Sequence, residues 1–299
     1  MTPHQKTAWD PNQGYQKRDR EVIDYQLYRD KKTGLWLRGP EHDKLIKGKY
    51  IICLGAAQTF GCFCDKPYPV LMEEHLGIPV LNLGYGGAGP SFFLNQTGMW
   101  NQIKGAACVI IQVLSGRSES NSVFESGGLE FLRRKSDGKQ MGARQAYKWL
   151  LSTSFFFRRN RIKKIIFETR SNYVKNMVAL MKKIDVPKIL LWFSIRQPEY
   201  KERLLTVGTL LNKFPHLVNR EMVEKIKKHA DVYVPCVTQR GRPQQLFSRT
   251  SGKKIKVYPG DLRKDLRGKS WSTNFYYPSP EMHEDAAKAL LDVCRDYLL

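Results

Sequence analysis

The stretch Tyr50-Ile-Ile-Cys-Leu-Gly-Ala-Ala-Gln-Thr-Phe-Gly61 decides how this chain is read. A short, almost wholly apolar run (50–55) ends in glycine. It passes at once into small and hydroxyl residues and a second glycine. A continuous apolar run of this length is the pattern of a strand buried on both faces. Four further runs share that character: IPVLNLG (78–84), CVIIQVL (108–114), KILLWFS (188–194) and DVYVPC (231–236).

Helix candidates separate these runs. PYPVLMEEHLG (67–77) carries Pro67 near its start and Gly77 just past its end, the usual asymmetry of helix termini. GPSFFLNQTGMWNQIKG (89–105), FETRSNYVKNMVALMKKID (167–185), EMVEKIKKHA (221–230) and MHEDAAKALLDVCRDYLL (282–299) follow. Strand alternating with helix in this way predicts a parallel sheet with helices on both faces. The expected fold is α/β: a flavodoxin-like, three-layer domain with a five-stranded parallel sheet in the order 2-1-3-4-5. Residues 49–299 form this domain. Residues 1–48 form an N-terminal extension, polar at first and then alternating around a KKTG turn (VIDYQLYRD, LWLRG), which reads as a β-hairpin.

The chain of 299 residues is 41% hydrophobic and carries a formal net charge of +22. The first figure allows a real core, and the second speaks of partners rather than fold. Much of the charge gathers in a basic helical insertion at about 127–164. Within 131–164, eleven Lys and Arg face a single acid, Asp137, with Trp149 and the triplet Phe155-Phe156-Phe157 interleaved. The bland reading is a solvated face with inward-packed aromatics. The functional readings are a docking surface for an anionic polymer, such as an acidic polysaccharide, or for an anionic membrane surface. No recognised nucleic-acid motif accompanies the charge, which argues against nucleic acid.

Six cysteines, three of them inside the apolar runs, read as buried free thiols. Cys62-x-Cys64 lacks a second pair or a His at zinc spacing, so no metal is expected. No cofactor motif is expected either. The N-terminus has no apolar signal region and no run of 18 apolar residues occurs. These features predict a cytoplasmic protein without a transmembrane segment, peripheral to a membrane at most.

Three blocks resemble those of SGNH (GDSL-type) hydrolases across roughly residues 49–299: YIICLGAAQTFG, GIPVLNLGYGGAGP and YYPSPEMHEDAAKAL. The last also resembles the wording of an uncharacterised bacterial family. The resemblance implies an esterase or acyltransferase acting on a glycan, with a catalytic serine in the first block. Here Gly55, Thr59 and Gly61 match that block, but Ala56 and Ala57 stand where the family has Asp and Ser. Asn82 and Gly84 match the second block, and Gly84 would offer an oxyanion-hole N–H. His283 matches the catalytic His, while Pro280 replaces the family's Asp. The third block reads SGRSESN (115–121) without the family's Asn-Asp pair.

Alanine cannot attack a carbonyl, so a rebuilt site or a binding descendant is expected. Thr59, Ser115 and Ser279 are the alternative hydroxyls, although Thr59 also reads as a helix cap and His283 as a packed side chain. The ends of parallel strands are where such sheets bind ligands. Gly55, Ala57, Asn82, Gly84, Gly86, Arg117, Asn121 and Arg196 all fall there, and two arginines with backbone donors suit an anion. A non-catalytic carbohydrate- or anion-binding module and a sulfotransferase-like enzyme are the alternatives. The second lacks the lysine of a phosphate loop.

Overall fold

The computed structural model describes residues 19–152, 159–200, 203–257 and 270–298. A two-stranded antiparallel hairpin, β1 (Tyr28–Arg29) with β2 (Trp36–Leu37), precedes the main sheet. That sheet is built from β3 (Ile51–Gly55), β4 (Val80–Gly84), β5 (Cys108–Gln112), β9 (Lys188–Ser194) and β10 (Val232–Val237). All its pairings are parallel, and the spatial order is β10-β9-β5-β3-β4. Counted along the chain this is 2-1-3-4-5, as the alternation of strand and helix predicts.

Side chains along each strand alternate between two apolar layers. Ile52, Leu54, Val109, Ile111, Leu190 and Trp192 face one layer. Ile51, Cys53, Cys108, Ile110, Ile189, Leu191 and Phe193 face the other. Both sets are essentially fully buried. The strands therefore read as unbroken apolar runs because each residue finds a helix on its own side.

Helices α2 (Tyr68–Leu76) and α9 (Pro280–Arg295) cover the second layer through Tyr68, Met72, Met282, Ala286 and Leu290. α2 starts after Pro67 and stops at Gly77, whose φ of 65° is the left-handed stop that glycine adopts without a Cβ penalty. The first layer is covered by α3 (Pro90–Leu94), α4 (Trp100–Gly105), α6 (Arg159–Lys182) and α8 (Arg220–Ile226). The sequence suggests one helix from Pro90, but Asn95 to Met99 interrupt it and two short helices form.

The basic stretch is only partly helical. β7 (Phe131–Arg134) and β8 (Gln140–Gly142) pair antiparallel with each other, and β7 with β6 (Phe124–Ser126). Helix begins at α5 (Ala143–Ser152). Ser136-Asp137-Gly138 turns the chain between the strands, with Gly138 at φ 69°, so turn chemistry outweighs the charge pattern. Phe155, Phe156, Phe157 and Arg158 lie outside the described residues. The remaining α-helices and strands are α1 (Ala57–Phe60), α7 (Val207–Leu211), β11 (Gln244–Gln245) and β12 (Thr273–Asn274).

Candidate functional site

β3 ends at Gly55 and the chain turns directly into α1. The approach is tight. A Cβ on Gly55 would lie 1.9 Å from Thr59 Oγ1, and one on Gly84 would lie 2.3 Å from the Phe60 nitrogen. Glycine at both strand ends lets α1 rest on β3 and β4 together.

The polar groups here are spent on one another. Gln112 Oε1, at the end of β5, accepts from the Ala56 N–H (3.0 Å) and from the Thr59 hydroxyl (2.9 Å). With its single proton so used, Thr59 Oγ1 accepts from the Tyr68 hydroxyl at 3.0 Å. Thr59 is fully buried, and the N-cap of α1 is Ala56. Thr59 is thus a brace between β5 and α2 rather than a cap. Asn82 closes the other side: its Nδ2 donates to the Thr59 carbonyl (2.9 Å) and its Oδ1 accepts the Gly84 N–H (3.0 Å). The Gly84 N–H is therefore bonded within the chain. Ala57 is nearly buried beside this network, and Gly86 is buried in the loop after β4.

His283 occupies the first turn of α9, between Tyr68 and Phe193, with ring centroids at 6.1 and 5.3 Å. Its exposure is 0%. Burial, and secondarily the charge of Arg38, push its pKa down to about 3. Nδ1 accepts the Tyr68 N–H at 3.2 Å, which places the proton of the neutral ring on Nε2. In that tautomer His283 has no lone pair left for a serine proton. Ser279 is the N-cap of α9, accepting the Met282 N–H and donating to the Arg240 carbonyl.

Two predicted anion ligands are engaged elsewhere. Arg196 donates to the carbonyls of Lys213, Gln197, Pro198, Pro215 and Val218. It ties the end of β9 to the loop 212–218. Asn121 organises a turn by accepting from the N–H groups of Val123 and Phe124, and it donates to Thr169.

Arg117 differs. Its Nη2 donates to Glu130 at 3.1 Å, and its charge interacts with the nearby Tyr276. The Tyr276 hydroxyl lies 2.9 Å from His216 Nε2, and His216 Nδ1 lies 2.8 Å from the Asn212 carbonyl. A carbonyl only accepts, so Nδ1 carries the proton and Nε2 the lone pair that receives the Tyr276 O–H. Burial first, and then Arg117, hold the His216 pKa well below its usual value, so the ring is neutral. His216 is buried, whereas Tyr276 is 42% exposed and reaches solvent.

The result is a directed chain from Tyr276 through His216 to Asn212, with the charge of Arg117 acting on it from nearby. It sits beside Ser115, whose buried hydroxyl has no partner within the protein. Gln58 Oε1 and Arg117 Nε are likewise buried without a protein partner. Gln112 Nε2 and His283 Nε2 share that state, as do buried atoms elsewhere among the described residues.

Sequence reading missed Tyr276, His216 and Glu130. Tyr276 and Tyr277 open the block that drew attention to His283, and the cluster HLVN (216–219) follows no motif. The one available signal was a pair of tyrosines beside Pro278 at the mouth of the last helix.

Comparison of folds finds similar solved structures. A carbohydrate esterase family 2 enzyme with a carbohydrate-binding domain from Corynascus thermopiles (Myceliophthora fergusii) is 14% identical, at a TM-score of 0.39, over 89% of this chain and 70% of that one. A G-D-S-L family protein from Desulfitobacterium hafniense DCB-2 is 12% identical, at 0.40, over 82% and 99%. A catalytic mutant of an acetylxylan esterase from Geobacillus stearothermophilus is 11% identical, at 0.40, over 84% and 96%. No curated protein matches the sequence. A family model, Domain of unknown function (DUF6473), matches residues 14–126 and 147–298. The break between its two segments falls on β7, β8 and the start of α5. With most of its length covered by that model, the chain belongs to the family described as Domain of unknown function (DUF6473).

Proposed function

We propose that this protein binds an acidic glycan at the C-terminal edge of its sheet and moves an acyl group there with Tyr276 and His216 in place of a serine-based set. The observation that carries the reading is the Tyr276–His216–Asn212 chain, with the charge of Arg117 nearby. It has the logic of an activated hydroxyl: a carbonyl fixes the imidazole tautomer, the imidazole receives the hydroxyl proton, and a cation stands by the oxygen that becomes negative. Ser115 Oγ and Arg117 Nε supply donors for a carboxylate or an ester oxygen. The acidic substrate is supported by Arg117 and by the overall charge of +22.

The second reading is a non-catalytic binding module. Two observations favour it: Ala57 provides no nucleophile, and the depressed pKa of His216 makes it a weak base. A sulfotransferase reading has less support, because GAAQTFG contains no lysine.

One set of measurements separates these readings. Turnover of p-nitrophenyl acetate and calorimetric binding of an oligouronate are measured for the native chain and for Tyr276→Phe, Arg117→Gln and Ala57→Ser. The acyl-transfer reading expects Tyr276→Phe to cost roughly 100-fold in turnover, the low end for a proton-transfer group. Arg117→Gln should weaken binding roughly 10- to 100-fold, the worth of a charged hydrogen bond. Ala57→Ser should add nothing, because His283 cannot take its proton. Binding without turnover would replace enzyme by binding module, and loss of both in the native chain would sink the proposal.

A further inference from the structure

A second surface stands apart from this edge. Between α6 and residues 203–205 lies a groove of about 630 Å³. Ile166, Phe167, Leu204 and Leu205 form its apolar walls, and Lys163, Arg170 and Arg203 bring positive charge to it. Phe167 is 73% exposed and Leu205 69%. These are large apolar side chains that two separate elements present to the same groove.

They are not the leftovers of a poorly made core. On α6, Ile162, Ile165 and Ile166 are buried against Leu210 and Leu211 of α7. The inward stripe of the helix is complete without Phe167, which lies on the opposite side. Lys163 and Phe167 stand four residues apart, so they share one helix face. Arg170, one turn further, is tied down by bonds to the Leu217 carbonyl (2.9 Å) and the Tyr200 hydroxyl (2.7 Å).

The charge around these apolar groups is mostly positive. From Arg159 to Glu168 the sequence holds four cations and one acid, and Arg203 follows Glu202. Arg161, Lys163, Lys164 and Arg203 are exposed. Exposed apolar side chains ringed by flexible cations match an interface that is apolar within and anionic at its surface. Among the described residues no helix is long and apolar enough to cross a membrane.

We propose that this face seats the protein on an anionic phospholipid bilayer. Phe167 and Leu205 enter the boundary between headgroups and acyl chains, while Lys163, Lys164 and Arg203 meet the lipid phosphates. The proposal does not depend on the reading of the sheet edge.

The test is co-sedimentation of the full chain with vesicles of phosphatidylcholine alone and of phosphatidylcholine with phosphatidylglycerol, at low and high salt. Binding is expected to the anionic vesicles and to fall with salt. Replacing Phe167 and Leu205 together by Ser should lower partitioning roughly 10- to 100-fold, since about one large side chain's worth of apolar burial is lost. Lys163→Gln and Arg203→Gln should each lower it roughly fivefold and flatten the salt dependence. All four positions are exposed, so these variants should keep the native circular dichroism. No binding of the native chain to anionic vesicles would overturn the proposal. So would full binding by the Ser pair, which would show adhesion by charge alone, as to a soluble acidic polymer.

Discussion

His283→Asn removes one proton-binding group from the centre of an apolar layer and can keep an acceptor for the Tyr68 N–H. In the native chain burial and Arg38 lower the His283 pKa to about 3, whereas an unfolded histidine titrates at about 6.5. The unfolded chain therefore takes up a proton that the folded chain refuses. The stability contributed by neutral His283 is complete above about pH 6.5 and is lost as pH falls toward 3, at about 1.4 kcal/mol per pH unit. At about pH 4.5, two units into that window, the loss is about 2.7 kcal/mol.

Glu119 acts in the opposite direction over the same range. Burial raises its pKa to about 7, so the folded chain holds a proton there that the unfolded chain releases above its ordinary carboxylate value. Its contribution falls as pH rises toward 7 and partly masks the effect of His283. The buried His216 adds to the acid limb in the same sense as His283. Comparing native and His283→Asn chains at each pH cancels the other groups. Urea unfolding near pH 7 and near pH 4.5 should show the stability difference moving by about 2.7 kcal/mol in favour of the variant at the lower pH. A difference that stays constant between those two conditions would refute the claim that the fold holds this imidazole neutral.

Two further outcomes follow from the packing at the strand ends. Arg196→Met should cost about 2–5 kcal/mol in urea unfolding, because five backbone carbonyls lose a charged donor; a loss below about 1 kcal/mol would mean that the 212–218 loop does not need this tie. Gly55→Ala should cost about 1–3 kcal/mol in a thermal melt by overpacking against Thr59 and Gln112, and an unchanged melting temperature would show that α1 moves aside freely.

The sheet was legible because burial on both faces writes itself into composition. Ile51 to Leu54 and Ile189 to Phe193 can belong to nothing but a two-sided strand once helices flank them. The glycines at 55 and 84 matched the family blocks, and the structure shows a packing reason for both, since each excludes a Cβ. Roles within the edge were less legible. Asn82, Thr59 and Gln112 look like ligand-binding groups in a list, but their partners come from three different strands and helices, and only their pairing shows them to be bracing. Arg196 and Arg117 are both arginines just past a strand; what separates them is which carbonyls the next loop presents. His216 and Tyr276 are 60 residues apart and lie on irregular segments, where no period announces a meeting. Charge density misled at 131–142, because a turn and cross-strand pairing set the backbone there.

All six cysteines are free thiols closed off from solvent, and five of them are distributed unevenly between the two layers. Cys53, Cys108, Cys236 and Cys294 belong to the layer under α2 and α9, while Cys62 belongs to the other. A thiol that solvent cannot reach is alkylated or oxidised only when its surroundings open. The molecule thus carries its own clocks for structural opening. The four thiols of the first group time the parting of α2 and α9 from the sheet, and Cys62 times the release of the opposite face.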